Sequence, residues 1–200
     1  MFTGIIETTG TVVSIDKQQD NIIFQVSSSI SQELKIDQSI AHNGVCLTVT
    51  SIKDGVHSVT AIHETLQKTN LRDWQLGTIV NLERCMPATG RFDGHFVQGH
   101  VDQTAVCTAV ANEHGSWRFT FEYSVGSGNF TIEKGSITVN GVSLTVVDSE
   151  IGKFAVAIIP YTYEHTNFQQ ISVGTVVNLE FDVIGKYLKR IFELQSKNLI

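Results

Sequence analysis

Slid along itself by 97 residues, the chain matches its own second half: residues 39–83 fall on 136–180 without a gap, with 20 identities in 45 positions. The identical pairs include Ser39/Ser136, Asn43/Asn140, Gly44/Gly141, Leu47/Leu144, Thr48/Thr145, Asn70/Asn167, Asn81/Asn178 and Glu83/Glu180. The opening Phe2 to Glu7 also echoes Val97 to Asp102, at a slightly different offset. A period this long marks a duplicated domain rather than a solenoid of short repeats. Whatever one half folds into, the other must fold into as well. The 200 residues allow two domains of about 100 each. The boundaries expected are 1–95 and 96–185, followed by a tail of 186–200.

Within each half the local signals are those of strands. Val45, Leu47 and Val49 alternate with Cys46, Thr48 and Thr50, and Val142, Leu144 and Val146 repeat the pattern. This is the period of a strand with one face on a core. Asn43-Gly44 and Asn140-Gly141 are turn signals directly before these strands, and Asp54-Gly55 and Ile151-Gly152 end the segments. Together with sixteen Gly and only two Pro, the short strands predict an all-β chain with a small closed barrel in each half. The tail breaks the pattern. Ile184, Tyr187, Leu188, Ile191 and Leu194 share one face at helical spacing. Such a stripe needs cover, either from its own barrel or from copies of itself.

Composition removes several functional classes. The net charge of −6 comes without long like-charged blocks, which argues against nucleic acid and against a polybasic membrane anchor. No apolar stretch approaches the roughly 18 residues of a membrane span, and the first residues carry no basic segment of a secretory signal. Cys46, Cys85 and Cys107 are an odd number without CxxC spacing, as expected of free thiols in a cytoplasmic protein.

The polar residues that stand out lie on the duplicated strands. Cys46 and Thr48 share one strand face, and Ser143 and Thr145 share the matching face in the second half. The halves thus present near-identical pairs that differ as thiol against hydroxyl. Between them, Gly94 to Asp102 concentrates Gly, His and Asp. His95 and His100 are five residues apart and point to opposite faces of a strand, and Cys85 adds no zinc spacing, so no metal is expected. His100 also stands where a phosphate-binding loop needs Lys. As an imidazole it is instead a candidate for proton transfer near neutrality. No Ser-His-Asp order or nucleophile elbow appears.

Four segments carry a resemblance. Met1 to Glu7, Ala41 to Val49, Gly94 to Asp102 and Val139 to Val146 closely resemble the riboflavin synthase family of the α-chain type, and the likeness covers essentially the whole chain. It implies two six-stranded Greek-key barrels and a homotrimer held by the C-terminal helices. It also implies dismutation of two molecules of 6,7-dimethyl-8-ribityllumazine. One donates a four-carbon unit to the other, giving riboflavin and 5-amino-6-ribitylamino-pyrimidinedione. The active site would lie between the first barrel of one chain and the second barrel of its neighbour. No cofactor is implied, because the second substrate molecule is the reaction partner. The lumazine C7 methyl is unusually acidic, so the protein's task is largely to hold two rings in register.

By position, the resemblance implies a first-barrel site of Gly4, Ile5 and Ile6, Cys46, Leu47 and Thr48, and Thr60, Ala61, Ile62, His63, Glu64 and Thr65. The second-barrel site would comprise Gly99, His100 and Val101, Lys134, Ser143, Leu144 and Thr145, and Ala157, Ile158, Ile159, Pro160, Tyr161 and Thr162. Cys46, His100, Ser143 and Thr145, supported by Ser39, are the residues expected to handle protons and to position a nucleophile or water. The resemblance also raises lumazine synthase as an assembly partner. The alternative is a non-catalytic antenna protein of the same fold that holds one lumazine or flavin as a chromophore.

Overall fold

Both halves close into barrels by the same strand order. The computed structural model describes residues 1–126 and 128–197. The first barrel comprises β1 (Thr8–Gln18), β2 (Asn21–Ser27), β3 (Ser39–His42), β4 (Val45–Lys53), β5 (Val56–Ala61) and β6 (Ile79–Arg84), joined in the order β1-β2-β5-β4-β3-β6. The second comprises β7 (Gln103–Asn112), β8 (Trp117–Tyr123), β9 (Ser136–Val139), β10 (Val142–Glu150), β11 (Lys153–Ile158) and β12 (Val176–Phe181), all antiparallel and in the same order. Closure leaves no sheet edge exposed. Bulges at Val12/Ser14 and Val49/Ser51 recur at Cys107/Ala109 and Val146/Asp148, bending corresponding strands at corresponding places. Two short helices, α1 (His63–Lys68) and α2 (Pro160–His165), follow β5 and β11. At six residues each, they are too brief to show helical periodicity in the sequence.

The strand alternation holds. Val45, Leu47 and Val49 are buried in the first core, while Cys46 is half-buried and Thr48 exposed on the outer face. Phe24 and Phe119 stand opposite Val59 and Val156, an offset of 95 rather than 97. The second half's two extra residues therefore lie between β8 and β9, and this explains why the start of the chain echoes the middle at its own offset.

The Asn-Gly turns do more than reverse the chain. Asn43 and Gly44 have φ of 46° and 78°, and Asn140 and Gly141 of 47° and 80°, the paired positive values of a tight hairpin. The two turns meet back to back: a Cβ on Gly44 would lie 2.8 Å from the nitrogen of Gly141. Around them the duplicated asparagines form a buried, nearly two-fold network. Asn81 N–H donates to Asn43 Oδ1 (2.8 Å) and Asn178 N–H to Asn140 Oδ1 (2.9 Å). Across the barrels, Asn70 N–H donates to Asn178 Oδ1 and Asn167 N–H to Asn81 Oδ1, both at 2.7 Å. Asn81 Nδ2 and Asn178 Nδ2 donate to the carbonyls of Asn140 and Asn43.

The cores diverge at one end. The first barrel buries His42 and His57 at 0% exposure, where the second has Val139 and Phe154. A chain of hydrogen bonds runs from Ser28 Oγ through Ser31 Oγ to His57 Nδ1, and from His57 Nε2 to His42 Nε2, each at 2.8 Å. His42 Nδ1 faces Ile40 O at 3.3 Å. Donors and acceptors match when both rings are neutral, with His42 donating to Ile40 and His57 donating to His42. A further proton on His42 would set two N–H groups against each other. Burial, reinforced by His57, lowers the His42 pKa to about 3, and burial lowers that of His57 to about 4.

The C-terminal helix, α3, spans Val183–Ser196, starting earlier than the expected boundary at 186 because Asp182 accepts the Ile184 N–H as its cap. Residues 198–200 of the expected tail lie outside the described residues. Lys186 turns toward its own barrel and pairs with Asp102 at 2.7 Å. Ile184, Tyr187, Leu188, Ile191 and Phe192 are exposed, with Leu194 half-buried.

Candidate functional site

Two segments without regular structure build the sites. The first arm (residues 2–7) and the second (residues 97–102) pair with each other through Phe2 and Val97, which exchange both backbone hydrogen bonds. Each arm then crosses to the barrel it does not belong to. Gly4 O accepts the Ser143 N–H at 2.8 Å, and Gly99 O accepts the Cys46 N–H at 2.9 Å. Both glycines have φ of 78°, and an added Cβ would stand 2.6 Å from Ser143 Cβ or 2.7 Å from Cys46 Cβ. Two residues further on, Ile6 packs on the core of the second barrel and Val101 on that of the first. This crosses the grouping implied by the resemblance. Gly4 and Ile6 stand with Ser143, whereas Gly99 and Val101 stand with Cys46. The cause is the back-to-back turn contact, which leaves each site strand beside the other half's arm.

A buried carboxylate holds each arm. Glu83 accepts the N–H groups of Thr3 (2.7 Å) and Gly4 (3.0 Å) and the Thr3 hydroxyl (2.8 Å). Glu180 accepts those of Gln98 (2.7 Å), Gly99 (2.9 Å) and His100 (2.9 Å). Burial raises both carboxyl pKa values, and the arm hydrogen bonds oppose the rise. Neither residue was singled out as functional from sequence; the signal was their identity at the end of the repeat.

The two outer faces are similar in shape and unequal in chemistry. Burial raises the Cys46 thiol pKa, only partly offset by the Ser39 hydroxyl nearby, so the group is protonated near neutrality. In the second half, Ser143 Oγ lies 2.7 Å from His95 Nδ1. Burial lowers the His95 pKa, partly offset by Asp182, leaving a neutral ring able to take the serine proton. The sequence pattern offers His95 only as a poor metal candidate. Its partner, 48 residues away, is a tertiary fact.

The remaining expected residues lie around the arms, on the outer strand faces, at the short helices and in the cores, with Lys134 apart. Thr48, Thr145, Ile5 and His100 are exposed around the arms, and Thr60 and Ala157 lie on the outer faces of β5 and β11. Ile62, His63, Glu64 and Thr65, like Ile159, Pro160, Tyr161 and Thr162, cap and open α1 and α2, directly after β5 and β11. Leu47, Ala61 and Ile158 are buried with the barrel cores, and Leu144 packs against one, so these four offer a ligand mainly backbone. Lys134 sits exposed on the turn before β9, at φ of 62°. The second half also carries two stacked aromatic pairs, Trp117 on Tyr163 (3.9 Å) and Tyr161 on His165 (4.0 Å).

A family model described as the lumazine binding domain matches this chain twice, over residues 3–85 and 98–182. Fold and paired sites thus define a protein of two tandem lumazine-binding domains. Riboflavin synthase of Actinobacillus pleuropneumoniae is 41% identical over 191 residues, covering 95% of this chain and 89% of its own length. That of Bacillus subtilis (strain 168) is 40% identical over 199 residues, covering 99% and 93%. The chain belongs to the riboflavin synthase family and is an enzyme of that family. The fold itself extends to LumP crystallised with 6,7-dimethyl-8-(1'-D-ribityl)lumazine, at a TM-score of 0.81 and 20% identity over 90% of this chain and 99% of that chain.

Proposed function

We propose that the chain converts two molecules of 6,7-dimethyl-8-ribityllumazine into riboflavin and 5-amino-6-ribitylamino-pyrimidinedione by transfer of a four-carbon unit. The observation that carries this reading is the pairing of two like-shaped sites with unlike chemistry. Two copies of one ligand would meet a protonated thiol with a serine on one barrel and a serine–neutral histidine pair on the other. Dismutation needs one donor and one acceptor made from identical molecules, and unequal surroundings assign those roles. The LumP complex supports a lumazine as the ligand of this fold.

In this reading the rings are held flat in the grooves bounded by the arms and by α1 or α2. Proximity supplies much of the rate because the donor carbanion forms from an acidic methyl group. Ser143 and His95 move a proton or position water at the second-barrel ring, Cys46 with Ser39 faces the first-barrel ring, and His100 and Thr145 line the groove edges. The atoms of two substrate molecules are all accounted for in the two products, so no external oxidant is consumed.

The assembled form is a homotrimer in which α3 packs on its copies and the first barrel of one chain faces the second barrel of the next. Support comes from α3 itself, which turns Lys186 to its own barrel while leaving Ile184, Tyr187, Leu188 and Ile191 uncovered. Three free cysteines fit work in a reducing cytoplasm. Lumazine synthase, as supplier of the substrate, remains the partner to test by co-sedimentation. The deciding experiment incubates purified protein with the lumazine and follows riboflavin by absorbance. One riboflavin for every two lumazines consumed supports the proposal. Tight lumazine binding without riboflavin would instead establish the antenna reading.

A further inference from the structure

We propose that Glu83 and Glu180 are crossed positioning residues: each sits on one barrel and fixes an arm over the site of the other. Their hydrogen bonds run to the arms: Glu83 holds Thr3 and Gly4, and Glu180 holds Gln98, Gly99 and His100. The next contact made by those arm residues is with the opposite site strand, Gly4 to Ser143 and Gly99 to Cys46. The glycines leave no slack, since even a Cβ would overlap the site residue. Ile6 and Val101 then anchor the arms on the opposite cores.

Glu83 and Glu180 are 5% and 2% exposed, and burial of a charge is unfavourable unless its oxygens are filled. Arm N–H groups fill them, and such charge-assisted bonds are short and directional. The residue that follows differs between halves, Arg84 against Phe181, while the glutamate recurs at the end of the matched run. The part played in turnover rests on the reading of Cys46 and Ser143 given above. The clamp itself does not, and thiol labelling tests it separately.

The test replaces Glu180 by Asp, which keeps the charge and withdraws its reach, and by Gln, which keeps the reach and removes the charge. N-ethylmaleimide labelling of the whole chain is followed at each cysteine by peptide mass spectrometry. Cys46 labelling rises about tenfold in both variants, as expected from loss of charge-assisted bonds. Cys107, at 0% exposure in the second core, stays protected and shows that the barrel carrying Glu180 is folded. Glu83→Asp leaves Cys46 within about twofold of the parent and, in a Ser143→Cys chain, raises labelling at position 143 about tenfold. Thr3→Val, which removes one donor to Glu83 and leaves the barrel strands untouched, gives a smaller rise at the same position.

Three results overturn the proposal. They are a Cys46 response to Glu83 equal to that to Glu180, normal labelling in Glu180→Asp, and Cys107 labelling that rises with Cys46. Crossed labelling in a parent that forms no riboflavin would leave the clamp standing and remove the proposed reaction.

Discussion

Replacing His42 and His57 by the second barrel's own residues, as His42→Val with His57→Phe, should remove most of the acid sensitivity of the first barrel. Both rings are neutral in the folded protein, with pKa values of about 3 and about 4, against 6.5 when exposed. Between about pH 6.5 and 4 the unfolded chain therefore binds more protons than the folded one, and stability falls as pH falls. Above that window the pair contributes no pH dependence. At pH 5 each ring costs about 1.36 × 1.5, or about 2 kcal/mol, and the pair about 4 kcal/mol. Glu83 and Glu180, whose carboxyl pKa values are raised, act in the opposite direction but are common to parent and variant. The comparison between the two proteins thus isolates the histidines. Trp74 lies in the first barrel and Trp117 in the second, so a Trp117→Phe background leaves one fluorescent reporter of the barrel in question. Urea unfolding at pH 8 and pH 5 should show the parent losing about 4 kcal/mol more than the double variant. Parallel losses would mean that the buried pair is not the acid-sensitive element.

Cys46→Ser copies the hydroxyl of the second half with little change in volume, so stability should move by less than about 1.5 kcal/mol while riboflavin formation falls substantially; unchanged turnover in the folded variant would make the thiol a packing group. His95→Gln retains a hydrogen-bonding group near Ser143 but cannot take its proton, and single-turnover rates should drop about a hundredfold with ligand affinity nearly kept. Ending the chain after Gly185 should give folded monomers by sedimentation, with turnover lost because the rings no longer meet across the interface; a fully active monomer would refute the trimer site. Gly44→Ala must both adopt a positive φ and press on Gly141, so a loss of at least about 2 kcal/mol in barrel stability is expected by urea unfolding.

Much of the fold was legible because duplication doubles every signal. Alternation at Val45 to Val49, repeated at Val142 to Val146, and the Asn-Gly turns place the site strands directly. The asparagines and Glu83/Glu180 were equally visible as repeats, but not as an interface and a pair of clamps. Identity reveals that a residue is kept in both halves, whereas its purpose here comes from contacts with the arms or with different residues of the other half. The arm crossing was illegible for a related reason. Local pattern gives Phe2 to Glu7 and Val97 to Asp102 the same shape and says nothing about which barrel each lies against. His95 next to Ser143 and the His42–His57 pair are likewise tertiary: His95 lies on an irregular segment, and β3 and β5 are separated by β4 in the sheet.

The crossed arms also bear on how such a chain can be recombined. A cut near residue 96 falls between the two barrels, yet it does not separate two sites. A hybrid that joins the first barrel of one relative to the second barrel of another gives each pocket a wall inherited from the other parent. The portable unit is a barrel together with the opposite arm: residues 8–102 hold the first such unit in one stretch, whereas the second barrel and residues 2–7 lie at opposite ends of the chain. Exchanges confined to the α1 or α2 rim would leave those inherited walls matched, and are the better route to altering one pocket at a time.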